Sequence, residues 1–431
     1  MADRRRMRLV AYLKTGPTAN HGGGWRHPAA ALDDIFEPER YEHLARVLEA
    51  ARFDAAFFAD TCGVPDIYKG SYATYLKLGG QISYLDPLAV LPFMLRVTSR
   101  LGLGTTLSTS FYHPYHLARL LGSLDLLSKG RIAWNVVTSA TDFEARNFGE
   151  MGIPPKDLRY DRGDEVLEAC FALWDGWQAD AFVMDRAAGL FVDPEKVRYA
   201  DYQGRYVSSR GPLSVPRSPQ GRPVIMQAGA SPRGRAFAVR WAELIFSTPS
   251  AKGDAQGYYA DIKQRLAAAG RASENCAVLP ATAVVVGETE AIARERADYL
   301  NSLIDPELVL AANSNTIGID LSKPLPEGEM AARQGIQGSR DRVAAVAARE
   351  GISFAEAARR PRNLMVGTPH AVADQMEDWF RDGACDGFVL WPTHSPGMFE
   401  DFARLVVPEL QRRGLVQTEY AGATLRENLA R

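Results

Sequence analysis

Two of the seven histidines and one of the seven tryptophans crowd a triple glycine in "NHGGGWRHP", residues 20–28. Glycine runs carry an entropic penalty, and tryptophan is rarely left without a surface to pack on. The stretch therefore reads either as a tight structural crossing or as a loop closing over something flat and polar. "QAGASPRGRAFA" (227–238) is a second chemical signal. Gly229, Ala230 and Ser231 leave an apolar run and start a helix, with Arg233 close by. Backbone N–H groups at such a start, together with a serine hydroxyl, can cradle a phosphate, although an ordinary helix entrance looks the same. His113 and His116 stand three apart at another helix start. With no carboxylate nearby to complete a metal site, a capped entrance with one inward histidine is the better reading. No G-x-S-x-G nucleophile motif occurs.

These residues hang on a regular framework. Apolar runs at 8–14, 55–60, 101–109, 131–139, 223–230, 243–250, 277–287 and 386–392 alternate with amphipathic stretches of helical spacing. Doubly buried strands alternating with helices predict a (β/α)8 TIM barrel; a doubly wound open sheet is the alternative. One domain over 1–431 is expected, with insertions near 178–220 and 304–365. The polar tail from about 415 reads as an arm. In a barrel the chemistry sits where strands end. Those ends carry Asp60, Thr105, Thr106, Asn135, Thr138, Ser139 and "WPTH" (391–394). Mostly uncharged polar groups argue against a binuclear metal hydrolase.

With 50 basic and 52 acidic residues among 431, the chain has no excess charge to attract nucleic acid or an anionic membrane. The basic start "DRRRMR" reads as a solvated tail. The four cysteines form no C-x-x-C pair, which suits a reducing cytosol. No apolar run reaches the ~18 residues of a membrane span. A cytoplasmic protein without metal is expected.

Together, "GGGWRHP", "ARFDAAFFAD", "ISYLDPLAVLPFM", "RLGLGTTLSTSFYHPYHLARLLGSLDLLSKGRIAWNVVTS", "NFG", "RYDRGDEVLEACFALWDGW" and "QAGASPRGRAFAVRWAELIF" resemble the flavin-dependent monooxygenases of the bacterial-luciferase-like superfamily. The branch is that of nitrilotriacetate, dibenzothiophene-sulfone and long-chain alkane monooxygenases. The resemblance implies a luciferase-like TIM barrel that takes FMN as FMNH2 from a separate NAD(P)H:flavin reductase. Oxygen would react there to a flavin C4a-(hydro)peroxide that oxygenates or cleaves a small organic substrate. It places Asp60 and Thr106 at the flavin ring, with Asn135 and Thr138 lining the same floor. Tyr160, Ala230 and Ser231 would hold the ribityl chain and phosphate. Lys156 stands where many relatives have a histidine and either offers a point charge to the phosphate or faces solvent. His21, Trp25 and His113, with His27, are the candidates for the substrate and oxygen face. A catabolic homodimer or homotetramer is expected. Tyr68, Tyr72 and Tyr75 suggest an aromatic or heterocyclic substrate, while Lys69 and Lys77 pull toward an acid. A deazaflavin-dependent oxidoreductase and a non-catalytic flavin-binding barrel are the alternatives.

Overall fold

A computed structural model of the chain describes residues 5–17, 20–323, 334–359 and 364–430. Its centre is a closed parallel barrel. The strands are β1 (Arg8–Leu13), β2 (Ala55–Phe58), β3 (Gly102–Ser108), β4 (Ile132–Val137), β5 (Val224–Gln227), β6 (Leu244–Ser247), β7 (Ala277–Val286) and β8 (Gly387–Leu390). Each pairs in parallel with its successor, and β8 closes on β1 through Arg8–Gly387 to Ala11–Leu390. All eight coincide with the apolar runs of the sequence, so the open sheet is excluded. β7 is ten residues long because its second half, Ala283–Val286, pairs with an added strand, Leu364–Gly367.

Helices α1 (Pro38–Ala50), α2 (Pro87–Val97), α3 (Pro114–Leu127), α4 (Lys156–Trp174), α5 (Pro232–Trp241) and α6 (Lys252–Ala268) follow β1 to β6. After β7 come α7 (Glu290–Ser302), α8 (Pro306–Ile317), α9 (Gln337–Glu350) and α10 (Pro369–Arg381). Proline in the first turn recurs because its missing N–H would be unpaired there anyway. Asp86, His113 and Ser231 cap α2, α3 and α5 through side-chain acceptors.

Strand parity divides the core. Leu9, Ala11, Leu103, Trp134 and Phe388 face the helices. Val10, Tyr12, Phe57, Ala133, Met226, Leu244, Phe246, Leu279 and Val389 fill the barrel interior. There Phe57 and Phe246 stack at 4.6 Å, and Tyr12 meets Phe57 edge-on at 5.5 Å.

The 178–220 segment carries two small antiparallel hairpins, Phe182–Asp185 with Leu190–Val192 and Tyr202–Gln203 with Ser208–Ser209. In the 304–365 segment, α8 packs Leu308 and Ala311 against Tyr68, Tyr75 and Ile82. Two expectations from the chain ends are corrected. The tail is no free arm: fully buried Leu425 joins the interior cluster beneath the strands, and Arg426 pairs with Glu243. Nor is the basic start simply solvated. Arg6 pairs with buried Asp54 at 3.0 Å, and Arg6 and Arg8 donate to the carbonyls of Asn428 and Leu429. Its residues 1–4 lie outside the described residues. No described helix is long and apolar enough to cross a membrane.

Candidate active site

The upper ends of β3 and β4 supply the first polar pair. Thr106 donates its hydroxyl to the Phe58 carbonyl at 2.8 Å, and Asn135 Nδ2 donates to Thr106 Oγ1 at 2.8 Å. Both side chains are buried, yet Asn135 Oδ1 has no partner. A buried amide oxygen without a donor carries a penalty of about 1–3 kcal/mol, which a ligand N–H or O–H would relieve. Thr138 follows the end of β4. Its carbonyl accepts from Ser110 at 2.8 Å, and its methyl faces Gly163 of α4.

Asp60 follows β2. Its carboxylate accepts the Thr61 N–H at 2.8 Å, and burial raises its pKa against the opposing charge of Lys14. Cys62, two residues on, lies 4.0 Å from the Tyr112 hydroxyl, and burial pushes its thiol up to about 12. That thiol is protonated and inert at neutral pH.

The second polar group sits where β5 runs into α5. Ser231 Oγ accepts from the Gly234 N–H at 3.2 Å, and Gln227 Oε1 accepts from the Gly229 N–H at 2.6 Å. Tyr160 lies alongside, with its ring 5.3 Å from Phe237 and its hydroxyl 2.9 Å from where a Cβ on Gly234 would sit. Arg159, one residue before Tyr160, is buried, bonds the Ser139 carbonyl, and leaves Nε without a partner. Burial lowers its pKa, but a guanidinium stays charged. Small residues, a capped helix N-terminus and an uncommitted guanidinium N–H form a donor set suited to phosphate.

Helix α9 reaches over this end. Gly335 N–H donates to the Ala140 carbonyl at 2.6 Å, and Asp142 N–H to Gln334 Oε1 at 2.8 Å. Gly338 faces Ala230, Arg342 donates to the Thr248 carbonyl at 3.1 Å, and Lys156 donates to Gln337. Lys156, at the start of α4, is thus tied to this cover and half-buried rather than aimed at solvent.

The glycine loop has a different neighbourhood. A Cβ on Gly23 would lie 2.5 Å from the Leu303 carbonyl carbon, and one on Gly24 would strike the Thr393 carbonyl oxygen. Those glycines let the loop thread between α7 and the end of β8. Trp25 donates to the Leu78 carbonyl at 3.0 Å and covers Gly79. His27 stacks on His394 at 4.2 Å. His21 is buried. Its Nδ1 accepts the Gly23 N–H at 3.3 Å, and Nε2 has no partner. Burial, reinforced by neighbouring His27, lowers both His21 and His394 to about 4, so both are neutral at pH 7.

The candidates thus fall into four groups. Thr106 and Asn135 bond one another, and Tyr160 flanks the Ala230–Ser231 turn. His21 and Trp25 share the glycine loop with His27. His113 stands apart: it is exposed, and its Nδ1 caps α3 by accepting the Tyr115 N–H at 3.2 Å. Tyr68 and Tyr75 face α8, whereas Lys69 pairs with Glu307 on the surface. Arg159, Gln227 and His394 were not singled out from sequence. Arg159 adjoins Tyr160 inside "RYDRGDE", which was the available signal. Among the described residues, no group of three or more His, Cys, Asp or Glu could hold a metal ion.

Residues 17–386 match the luciferase-like monooxygenase family. The chain is 43% identical over 445 residues to dibenzothiophene-sulfone monooxygenase of Rhodococcus erythropolis (strain XP), covering 100% of this chain and 97% of that protein. It is 37% identical over 426 residues to nitrilotriacetate monooxygenase component A of Aminobacter aminovorans, covering 95% and 93%. Riboflavin lyase, solved with modified FMN and riboflavin, superposes with a TM-score of 0.91 at 31% identity, covering 99% of this chain and 96% of that one.

Proposed function

The chain belongs to the luciferase-like monooxygenase family, and from that premise we propose that its barrel mouth is the site of a two-component FMN-dependent monooxygenase. The protein is an FMN-dependent monooxygenase that uses reduced FMN and O2. The proposal adds which residues do the work, that a separate NAD(P)H:flavin reductase supplies the reduced flavin, and that the substrate is a small organic molecule. It also assigns a cytoplasmic homo-oligomer.

One observation carries the residue assignment. Among the buried polar atoms without partners, two, Asn135 Oδ1 and Arg159 Nε, lie at strand and helix ends of the mouth. Their chemistry suits the polar edge of a flavin ring and its phosphate tail. Asn135, Thr106, Thr138 and Asp60 would meet the ring. Ser231, Ala230, Tyr160 and Arg159 would hold the tail, with Lys156 and Gln337 closing over it.

When bound, reduced FMN supplies the electrons that activate O2 for transfer of one oxygen atom to the substrate. The protein's part is to orient and to exclude water. Phe57, Phe246 and Tyr12 form a dry floor beneath the mouth. Neutral His21, whose Nδ1 accepts the Gly23 N–H, carries its proton on Nε2 and leaves it free to donate one hydrogen bond without placing a charge in the chamber. Trp25 holds the loop that presents it.

The test combines the protein with FMN, NADH, a generic flavin reductase and a panel of sulfones, sulfonates, aminopolycarboxylates and heterocycles. Product formation requiring O2, FMN and reductase together is expected. Turnover with a deazaflavin in place of FMN, or without O2, would overturn the reading.

A further inference from the structure

Lys14 ends the first apolar run and looks in sequence like a strand terminator. Parity places it otherwise. Val10 and Tyr12 belong to the interior cluster, so Lys14, two residues beyond Tyr12, rises from the interior column of β1 into the mouth. Only 9% of it is exposed. An ammonium carries three N–H donors. Here one reaches Ser83 Oγ, at a long 3.4 Å, and no carboxylate among the described residues lies within ion-pairing distance of it. Asp60, Glu144 and Cys62 are the titratable groups that face it. Ser83 also helps to lower the pKa of Asp60, so one hydroxyl stands near both cation and anion.

Burial disfavours the charged form of Lys14 and Asp60 opposes that shift; a buried ammonium with one weak partner is costly unless something else completes its coordination. Its position above the Tyr12–Phe57–Phe246 floor puts the unused donors where a reactant must lie. Surface lysines offer no rival explanation for recognition of an acid. Lys69 is paired with Glu307, and Lys77 is exposed.

We propose that Lys14 determines substrate specificity by donating its free N–H groups to an anionic oxygen of the substrate, a carboxylate or sulfonate. The inference rests on the mouth being the monooxygenase site. It selects acids over neutral aromatic compounds as the substrate class.

Calorimetric binding tests it without turnover, using FMN-loaded wild type, Lys14→Met and Lys14→Arg. The probes are benzenesulfonate and nitrilotriacetate, each against its neutral amide. Wild type should bind at least one anion more tightly than its amide. Lys14→Met should weaken that anion by about tenfold or more and leave the amide within about twofold. Lys14→Arg should recover part of the loss. FMN affinity should be the same in wild type and Lys14→Met. A matching loss of FMN affinity would make the flavin the acceptor and overturn the proposal. Equal binding of anion and amide by wild type, or an anion affinity indifferent to Lys14→Met, would also overturn it. Oxygen-dependent turnover of neutral substrates persisting through such a result would leave the monooxygenase assignment standing. Absence of turnover alongside the predicted anion selectivity would overturn that assignment alone.

Discussion

Asn135 donates to Thr106 across the β3–β4 seam at 2.8 Å, and the same amide leaves its oxygen buried with no donor. The pair is half a hydrogen-bonding site. Removing an unsatisfied buried acceptor relieves its desolvation penalty. Asn135→Leu should therefore melt close to wild type, the lost bond to Thr106 offsetting that relief, yet bind FMN about 5- to 30-fold more weakly, as befits the loss of about 1–2 kcal/mol. Flavin titration and a melting curve on the same sample check both. Unchanged affinity would remove Asn135 from the flavin site.

The turn after β5 makes a graded prediction. Ser231→Ala removes the α5 cap and should lower stability by about 1 kcal/mol, while Ser231→Gly should cost only a few tenths. Gly234→Ala puts a methyl 2.9 Å from the Tyr160 hydroxyl, so Tyr160 must move. FMN affinity should fall further with Gly234→Ala than with Ser231→Gly. The reverse order would show that Tyr160 does not hold the flavin.

The triple glycine separates into unequal parts. A Cβ on Gly22 would meet Leu308 at an ordinary 3.5 Å, whereas one on Gly23 meets the Leu303 backbone at 2.5 Å. Gly22→Ala should be nearly neutral. Gly23→Ala should cost about 1–3 kcal/mol or more, because backbone cannot swing away as a side chain can. Chemical denaturation of the two variants decides it. Equal stability would mean that the crossing is loose.

His21 and His394 give a pH dependence of definite sign. Both stand near 4, below the ordinary 6.5, because burial disfavours the imidazolium. Their contribution is complete above pH 6.5 and disappears as pH falls toward 4. It amounts to about 3 kcal/mol or less for each. His394→Asn should therefore lose less melting temperature than wild type between pH 7 and pH 4.5. Parallel curves would refute the assignment.

The barrel was readable because parallel strands covered on both faces are continuous apolar runs, and all eight were found that way. Candidate residues near those runs were readable too: Thr106 and Asn135 are legible as polar residues on otherwise apolar strands. The partners were not. Leu303 and Thr393, which make Gly23 and Gly24 necessary, lie far along the chain, and no local pattern reports a distant carbonyl. Tyr68 and Tyr75 looked like substrate contacts because α8, which covers them, belongs to an insertion of unreadable path. Lys14 is hard to read for a simpler reason. A charge at a strand end reads as an exit to solvent unless inward parity is followed one step further.

The stacked Phe57–Phe246 floor, backed from below by Leu425, makes the barrel a cul-de-sac. With the mouth as the proposed site, cofactor, oxygen, substrate and product would share the open end beside α9. Traffic through such a doorway must queue: whatever lies deepest arrives first and departs last. On the proposed site, order of addition would follow from the architecture, from Phe57, Phe246 and Leu425, before any reacting atom is in place.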